Sequence, residues 1–319
     1  MSVDPVVSER VPAALDKERL DRFLTILCSC SRKQASDLLV DGVVKVNGRA
    51  TTKASLRLKT EDLVELSAVP SQGPQLPEAD DSIEFTVLYE DDDLLVLNKP
   101  PGLVVHPGAG NETGTLVNGL LARYPEIVHV GELHRPGIVH RLDVGTSGVM
   151  MAARTPMAYD VLVSALAVHA IHRQYTAVVW GSAANDEGTI DAPLGRSPRD
   201  PVKMAVVADG RPAVTHYQVL GRSTASDFDE AMVGVSTSHV ECTLETGRTH
   251  QIRVHMAAIG HPIVGDSRYG GSRHSLVFDR PALHSEELRL SHPLTGEIMS
   301  FQAPPPDDLA QLINSQLFE

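Results

Sequence analysis

Apolar positions along this chain recur with two different periods, and the change from one to the other marks its elements. Between residues 19 and 27, Leu20, Phe23, Leu24 and Leu27 fall at helical spacing and predict a first helix. A second is expected to open at Ser31. Ser31 and Gln34 fit a capping box, Ala35, Leu38 and Leu39 supply a buried stripe, and Asp41-Gly42 ends it because Gly42 tolerates the left-handed conformation. Residues 43–46 then read as a strand, Asn47-Gly48 as a two-residue hairpin turn, and residues 63–66 as a closing strand. Residues 70–81 hold Pro70, Gly73, Pro74 and Pro77 with little apolar content and read as a linker.

Beyond the linker, strands dominate. Residues 86–89 and 94–97 flank an acidic turn as a hairpin, and residues 171–180 and 239–244 read as further strands. Thr155 and Pro156 open a helix that reaches residue 168, residues 249–259 form another that Gly260 ends, and a short helix is expected near the end of the chain. Adjacent strand pairs without regular βαβ alternation predict an α+β fold. The expected division is an N-terminal extension (1–16), a small αβ domain (17–66), a linker (67–82), a larger mixed, mainly antiparallel-sheet domain (83–306) and a C-terminal tail (307–319).

A chain of 319 residues is long enough for two cores, and with aromatic residues at 4% those cores must be mainly aliphatic. No stretch approaches the roughly 18 to 20 apolar residues that cross a bilayer, and the N-terminus has no apolar signal core, so the expected location is cytoplasmic. Three cysteines (Cys28, Cys30 and Cys242) make no disulfide framework and are expected to be reduced packing residues. The histidines lack zinc spacing: His250 and His255 are five apart, and no His-Glu-x-x-His occurs. Ser147 lies in Gly-Thr-Ser-Gly rather than Gly-x-Ser-x-Gly, and no glycine-rich nucleotide loop is present. The net charge of −13 argues at first against a nucleic-acid partner. Its distribution changes that reading: residues 67–93 hold eight carboxylates and no Lys or Arg, whereas residues 17–66 carry a net +3. The C-terminal part remains acidic, so RNA binding there requires a local basic cleft.

The densest chemical signal is "RPGIVHRLDVGTSG" at residues 135–148. Ile138 and Val139 are expected to form a short buried strand, with Asp143 fixed at its end by the glycine-containing turn. Taken alone, Asp143 reads more readily as a loop cap that bonds backbone donors of residues 144–148. In the helix at residues 249–259, Ile252, Met256 and Ile259 share an apolar face with Arg253 beside it, which suits a partly buried arginine.

Two resemblances add to this. "RLDRFL…SRKQASDLLVDGVVKVNG" resembles the small RNA-binding module named after ribosomal protein S-four, which implies that Arg32, Lys33, Lys45 and Arg49 face structured RNA. "HRLDVGTSG" resembles the signature of the RluA/RluD-type RNA pseudouridine synthases. "LLVLNKPPGLVVHPG" (residues 94–108), "RQYTAVVWG" (173–181) and "LETGRTHQIRVHMAAIGHPIVGDSRYG" (244–270) are similar to further blocks of that family in the same order. Val144-Gly145 stand where the family usually has Lys-Asp, and Arg173 where it often has Lys.

The resemblance implies a cofactor-free isomerisation of uridine in structured RNA, with large-subunit ribosomal RNA as the expected substrate. Asp143 is implied to attack the anomeric carbon or to remove a neighbouring ribose proton. Arg253 is implied as its ion-pair partner, and Tyr175 as the ring that stacks on the flipped uracil. Arg141 is implied to fill the gap left by the extruded base, and Lys99, Arg248 and Tyr269 to act in the cleft or its framework. A monomer is the default, and the alternative is a non-catalytic RNA-binding ribosome-assembly factor.

Overall fold

The computed structural model describes residues 6–28, 30, 32–68, 76–108, 110–224 and 236–315. The chain divides into two compact units, Met1–Gln75 and Leu76–Glu319.

In the first unit, helices Leu20–Leu27 and Arg32–Val40 cover a four-stranded antiparallel sheet. Leu20, Phe23, Leu24, Ala35, Leu38 and Leu39 meet Val44, Val64 and Leu66 of the sheet in one aliphatic core. The hairpin from Val44–Val46 to Arg49–Ala50 turns through Asn47 (φ 50°) and Gly48 (φ 76°), as its sequence demands. Gly42 ends the second helix at φ 69°. The proposed capping residue Ser31 lies outside the described residues. One expectation is corrected. Residues 1–16 are not simply an extension, because Val7–Arg10 pairs antiparallel with Leu63–Leu66 and Val11 is fully buried. Ser8 and Arg10 hide that strand from a periodicity reading.

The second unit is built on a mixed, mainly antiparallel sheet of nine strands among the described residues. Its order is Glu187–Asp191, Val214–Thr224, Ser236–Leu244, His172–Trp180, Leu283–Ser291, Ser147–Ala153, Leu94–Lys99, Thr86–Glu90, with Ile298–Gln302 paired to the later residues of Leu283–Ser291. Only Leu283–Ser291 and Ser147–Ala153 run parallel. Ser147–Ala153 is buried along its whole length, which its Ser-Gly-Val-Met-Met-Ala-Ala sequence permits. Two boundaries move. Asn118 Nδ2 donates to the Glu78 carbonyl and Asp80 N to the Asn118 carbonyl, so the described end of the expected linker belongs to this unit. The expected tail is the helix Asp307–Ser315, whose Leu309 and Leu312 enter the main core.

The parallel contact positions the site, because it fixes the strand that follows Asp143. Gly148 stands at φ 112°, and a Cβ there would overlap the Ser285 backbone. Beside it, Ser147 Oγ donates to His284 Nδ1 (2.9 Å), whose Nε2–H donates to the Ala303 carbonyl (2.9 Å). Gly148→Ala is therefore expected to cost about 2–4 kcal/mol through strain and overpacking together. Urea unfolding checks this, and an unchanged midpoint would show that the Ser285 strand yields.

Candidate active site

Asp143 does not end a strand as expected. Ile138 makes only an isolated bridge to Ala152, residues 139–146 are irregular, and the regular strand begins after them at Ser147. What fixes the aspartate is a loop pinned from two sides. The Val144 carbonyl accepts from Gly102 N (2.7 Å) and from the buried Lys99 Nζ (3.4 Å), which also donates to the Pro100 (2.8 Å) and Leu103 (2.9 Å) carbonyls. The Gly145 carbonyl accepts from Arg280 Nη1 (3.0 Å), and Arg280 is itself fork-bound to Asp308 of the terminal helix. Burial lowers Lys99 to about 7, against the opposing pull of Asp143. Lys99 is thus framework beneath the loop.

Arg253 lies on the helix Gln251–Ala258 and is 7% exposed. Its Nη1 donates to Asp143 Oδ2 (2.9 Å), while Nε and Nη2 form a fork onto Asp266 Oδ2 (2.7 Å) and Oδ1 (2.9 Å). Burial opposes its charge, but the two carboxylates prevail and raise its pKa further. Of the three residues assigned to its apolar face, Ile252 and Met256 are buried, whereas Ile259 is 38% exposed beyond the helix end.

Asp266 was not singled out by the sequence reading. It sits at 1% exposure after Gly265, and its Oδ1 also accepts from Arg268 N (3.0 Å) and Tyr269 N (3.3 Å). An Asp inside the turn "GDSRYG" is a recognisable cap, and that was its only signal. His250 was missed as well. It begins the helix at φ 58°, with Nε2 3.9 Å from Asp143 Oδ1 and Nδ1 2.7 Å from the Tyr269 hydroxyl. Tyr269 also accepts from Met204 N (3.1 Å), and its ring lies under the Arg253 guanidinium. Burial lowers the pKa of His250 despite the nearby Asp143.

Tyr175 lies on His172–Trp180, where the register against Leu283–Ser291 shifts between Gln174 and Tyr175. The extra residue is Glu286 of Leu283–Ser291, so side chains still alternate along the strand that carries Tyr175, which pairs without a break against Ser236–Leu244. The ring is nearly buried, and burial raises its hydroxyl pKa above the ordinary value.

Asp143, Tyr175, Arg253, the exposed Arg141 and the half-buried Arg248 all line one cleft of about 490 Å3. That volume suits one small ligand or nucleotide. Among the described residues six arginines line it against a single carboxylate, Asp143, which supplies the basic cleft that the net charge obscured. Arg32, Lys45 and Arg49 are exposed on the first unit, and the Lys33 side chain lies outside the described residues. Arg49 pairs with Val46 and Ala50 with Lys45, so Arg49 and Lys45 start on opposite faces of their hairpin. Among the described residues no group of three His, Cys, Asp or Glu side chains is placed to hold a metal ion. No helix is long and apolar enough to cross a membrane among them either.

His140, next to Arg141, accepts from Met151 N at Nε2 (3.0 Å), and burial lowers it to about 3. Protonation would destroy that bond. Since the unfolded imidazole titrates near 6.5, the contribution is present above about pH 6.5 and is lost as pH falls toward the folded value. The loss amounts to about 2 kcal/mol by pH 5. His140→Gln keeps an acceptor without the titration. Its unfolding free energy is expected to fall less steeply than wild type's between pH 6.5 and 5 in urea titrations.

The arrangement is a carboxylate held by an arginine beside a buried tyrosine, in a basic cleft of an α+β sheet domain. Comparison with known proteins agrees with it. Residues 93–258 match the RNA pseudouridylate synthase model, and residues 18–64 match the S4 domain. The chain belongs to the RNA pseudouridylate synthase family, whose reaction isomerises uridine in RNA, and it carries an S4 RNA-binding domain ahead of the synthase domain. It is 46% identical to the uncharacterized RNA pseudouridine synthase YlyB of Bacillus subtilis over 93% of this chain and 94% of the relative. It is 44% identical to the ribosomal large subunit pseudouridine synthase D of Xanthomonas campestris, over 96% and 91% respectively. Among solved structures, human RNA pseudouridylate synthase domain containing 1 superposes with a TM-score of 0.56 at 25% identity, over 75% of this chain and 97% of that one.

Proposed function

We propose that this protein converts specific uridines of large-subunit ribosomal RNA to pseudouridine, with Asp143 acting at the ribose. The observation that carries the assignment is the Arg253–Asp143 pair at the base of the arginine-lined cleft. The similarity to large-subunit synthases over nearly the whole chain supports the RNA class.

The reaction breaks the bond from C1′ to N1, turns the uracil and joins C1′ to C5. The C5 proton leaves and N1 takes up a proton, so atoms and electrons balance without an oxidant or reductant. Asp143 is the one carboxylate lining the cleft among the described residues, and either attack on C1′ or removal of a ribose proton requires its charged form. Arg253 aims the carboxylate, and Asp266 aims Arg253. Because burial keeps the Tyr175 hydroxyl protonated, its role is to supply a ring for the extruded base to stack on, rather than a standing phenolate. Extrusion is required because the glycosidic bond is not accessible within stacked RNA. Arg141, exposed at the cleft, fills the vacated place, and Arg32, Lys33, Lys45 and Arg49 of the S4 domain hold the RNA elsewhere.

Carbodiimide labelling with primer extension on unmodified large-subunit ribosomal RNA, with transfer RNA in parallel, tests the substrate. The expected result is new stops at a small set of ribosomal positions. Stops confined to transfer RNA would reject the ribosomal assignment, and stops in neither RNA would reject the activity.

A further inference from the structure

Among the cleft arginines, one has an environment that the roles above do not explain. Arg173 lies two residues before Tyr175 on the same strand and therefore on the same face, and both line the cleft. It is 5% exposed. Its Nη2 donates to the Glu245 carbonyl (2.9 Å), Nε is buried without a partner, and no carboxylate is within ion-pair distance among the described residues. Arg253 has two carboxylates and Arg135 has Glu132. Arg173 has one neutral carbonyl. A buried guanidinium so placed carries a desolvation cost that the protein does not offset.

Its surroundings add positive charge. Arg248 and Arg211 line the same cleft, and Arg248 spends only Nε on the Pro212 carbonyl (3.0 Å). Burial, then Arg211, then Arg173 lower the pKa of Arg248, and burial lowers that of Arg173, as expected of cations without a counter-charge. The segment that carries Arg248 is tied down through Gln251. Gln251 Oε1 accepts from Thr246 Oγ1 (2.7 Å) and Arg248 N (3.0 Å), while its Nε2 donates to the Val214 carbonyl (2.9 Å) and to Thr215 Oγ1 (3.0 Å). Gly247 lies against Arg173, where a Cβ would meet Nη1 at 2.5 Å. Three guanidinium groups with so few protein acceptors suit a compact anion with several acceptor oxygens beside the tyrosine face.

We infer that Arg173, with Arg248 and Arg211, forms a phosphate subsite that grips the RNA backbone next to the extruded uridine. The inference rests on the assignment of the cleft as the uridine site. It gives the cleft two handles, Tyr175 on the base and Arg173 on the adjoining phosphate. It also explains a buried arginine at a position where the Asp143–Arg253–Asp266 chain makes no use of it.

The test is an equilibrium titration of the full-length protein with uridine, uridine 5′-monophosphate and uridine 3′-monophosphate. It is run with wild type, Arg173→Gln, Arg173→Lys and Arg248→Gln, each checked for fold by circular dichroism. Wild type is expected to bind one monophosphate about 10- to 100-fold more tightly than uridine, the range for hydrogen bonds to a charged group. Which one identifies the flanking phosphate. Arg173→Gln should lose most of that preference, and Arg173→Lys should keep part of it, as a point charge without the fork. If Arg173→Gln does not fold, Arg248→Gln at the half-buried rim makes the same comparison. On RNA that wild type modifies, Arg173→Gln should raise KM about 10-fold and reduce the slope of log affinity against log salt by roughly 0.7–0.9. Equal affinity for all three probes would overturn the inference, as would a preference that survives both glutamine variants. A phosphate preference in a protein that modifies no RNA would instead reject the activity and leave the subsite standing.

Discussion

Asp143→Asn is expected to lower the rate of pseudouridine formation about 10³-fold or more, since it removes the one carboxylate that lines the cleft among the described residues. The fold should survive. The amide has the same shape, its oxygen still accepts from Arg253, and Arg253 remains fork-bound to Asp266. Unfolding measurements should therefore show a change of no more than about 1 kcal/mol. Single-turnover assays on a modified fragment give the rate. A variant that retained about a tenth of wild-type rate would lose little more than 1.4 kcal/mol of transition-state stabilisation, and would assign the chemistry to another group.

Arg253→Met should combine loss of activity with loss of stability. Asp266, at 1% exposure, would keep only the backbone donors of Arg268 and Tyr269, and Asp143 would lose its counter-ion. Breaking a buried pair by removing one partner costs about 3–5 kcal/mol. Adding Asp266→Asn should recover much of that stability without restoring activity, because the buried charge is gone while Asp143 is still unaimed. Arg253→Lys should behave more like Met than like wild type, since one ammonium cannot reproduce the fork and reach Asp143 as well. Urea midpoints of the single and double variants separate these effects. A double variant no more stable than Arg253→Met would mean that packing, rather than charge, dominates the loss.

The sequence made some of this legible and hid the rest for identifiable reasons. The first unit was read closely because amphipathic helices, a glycine stop and an Asn-Gly turn each carry a local signal. The helix Leu116–Arg123 was missed. It is buried at every position from Leu116 to Leu121 and carries Gly119, so it has no polar face to set a period. The loop around Asp143 was misread as following a strand, because Ile138 and Val139 are apolar for a different reason: Ile138 fills the core beneath an irregular segment. At the site, Asp143, Tyr175 and Arg253 were named through resemblance to a family, and the structure brings them to one cleft. Asp266 and His250 stayed hidden because their value lies in contacts between segments distant in sequence. The bulge at Tyr175 is likewise a property of two strands, not of one.

The central claim is that the Asp143–Arg253 pair drives isomerisation of uridine in RNA, and loss of the C5 hydrogen reports that step directly. Wild type and Asp143→Asn would each be incubated with unmodified large-subunit ribosomal RNA labelled with tritium at uridine C5, and the tritium released to water counted over time. The account predicts release by wild type that reaches a plateau at a fixed small number of uridines per RNA, and no release above background by Asp143→Asn. Equal release by both proteins, or none by wild type from any RNA, would contradict it.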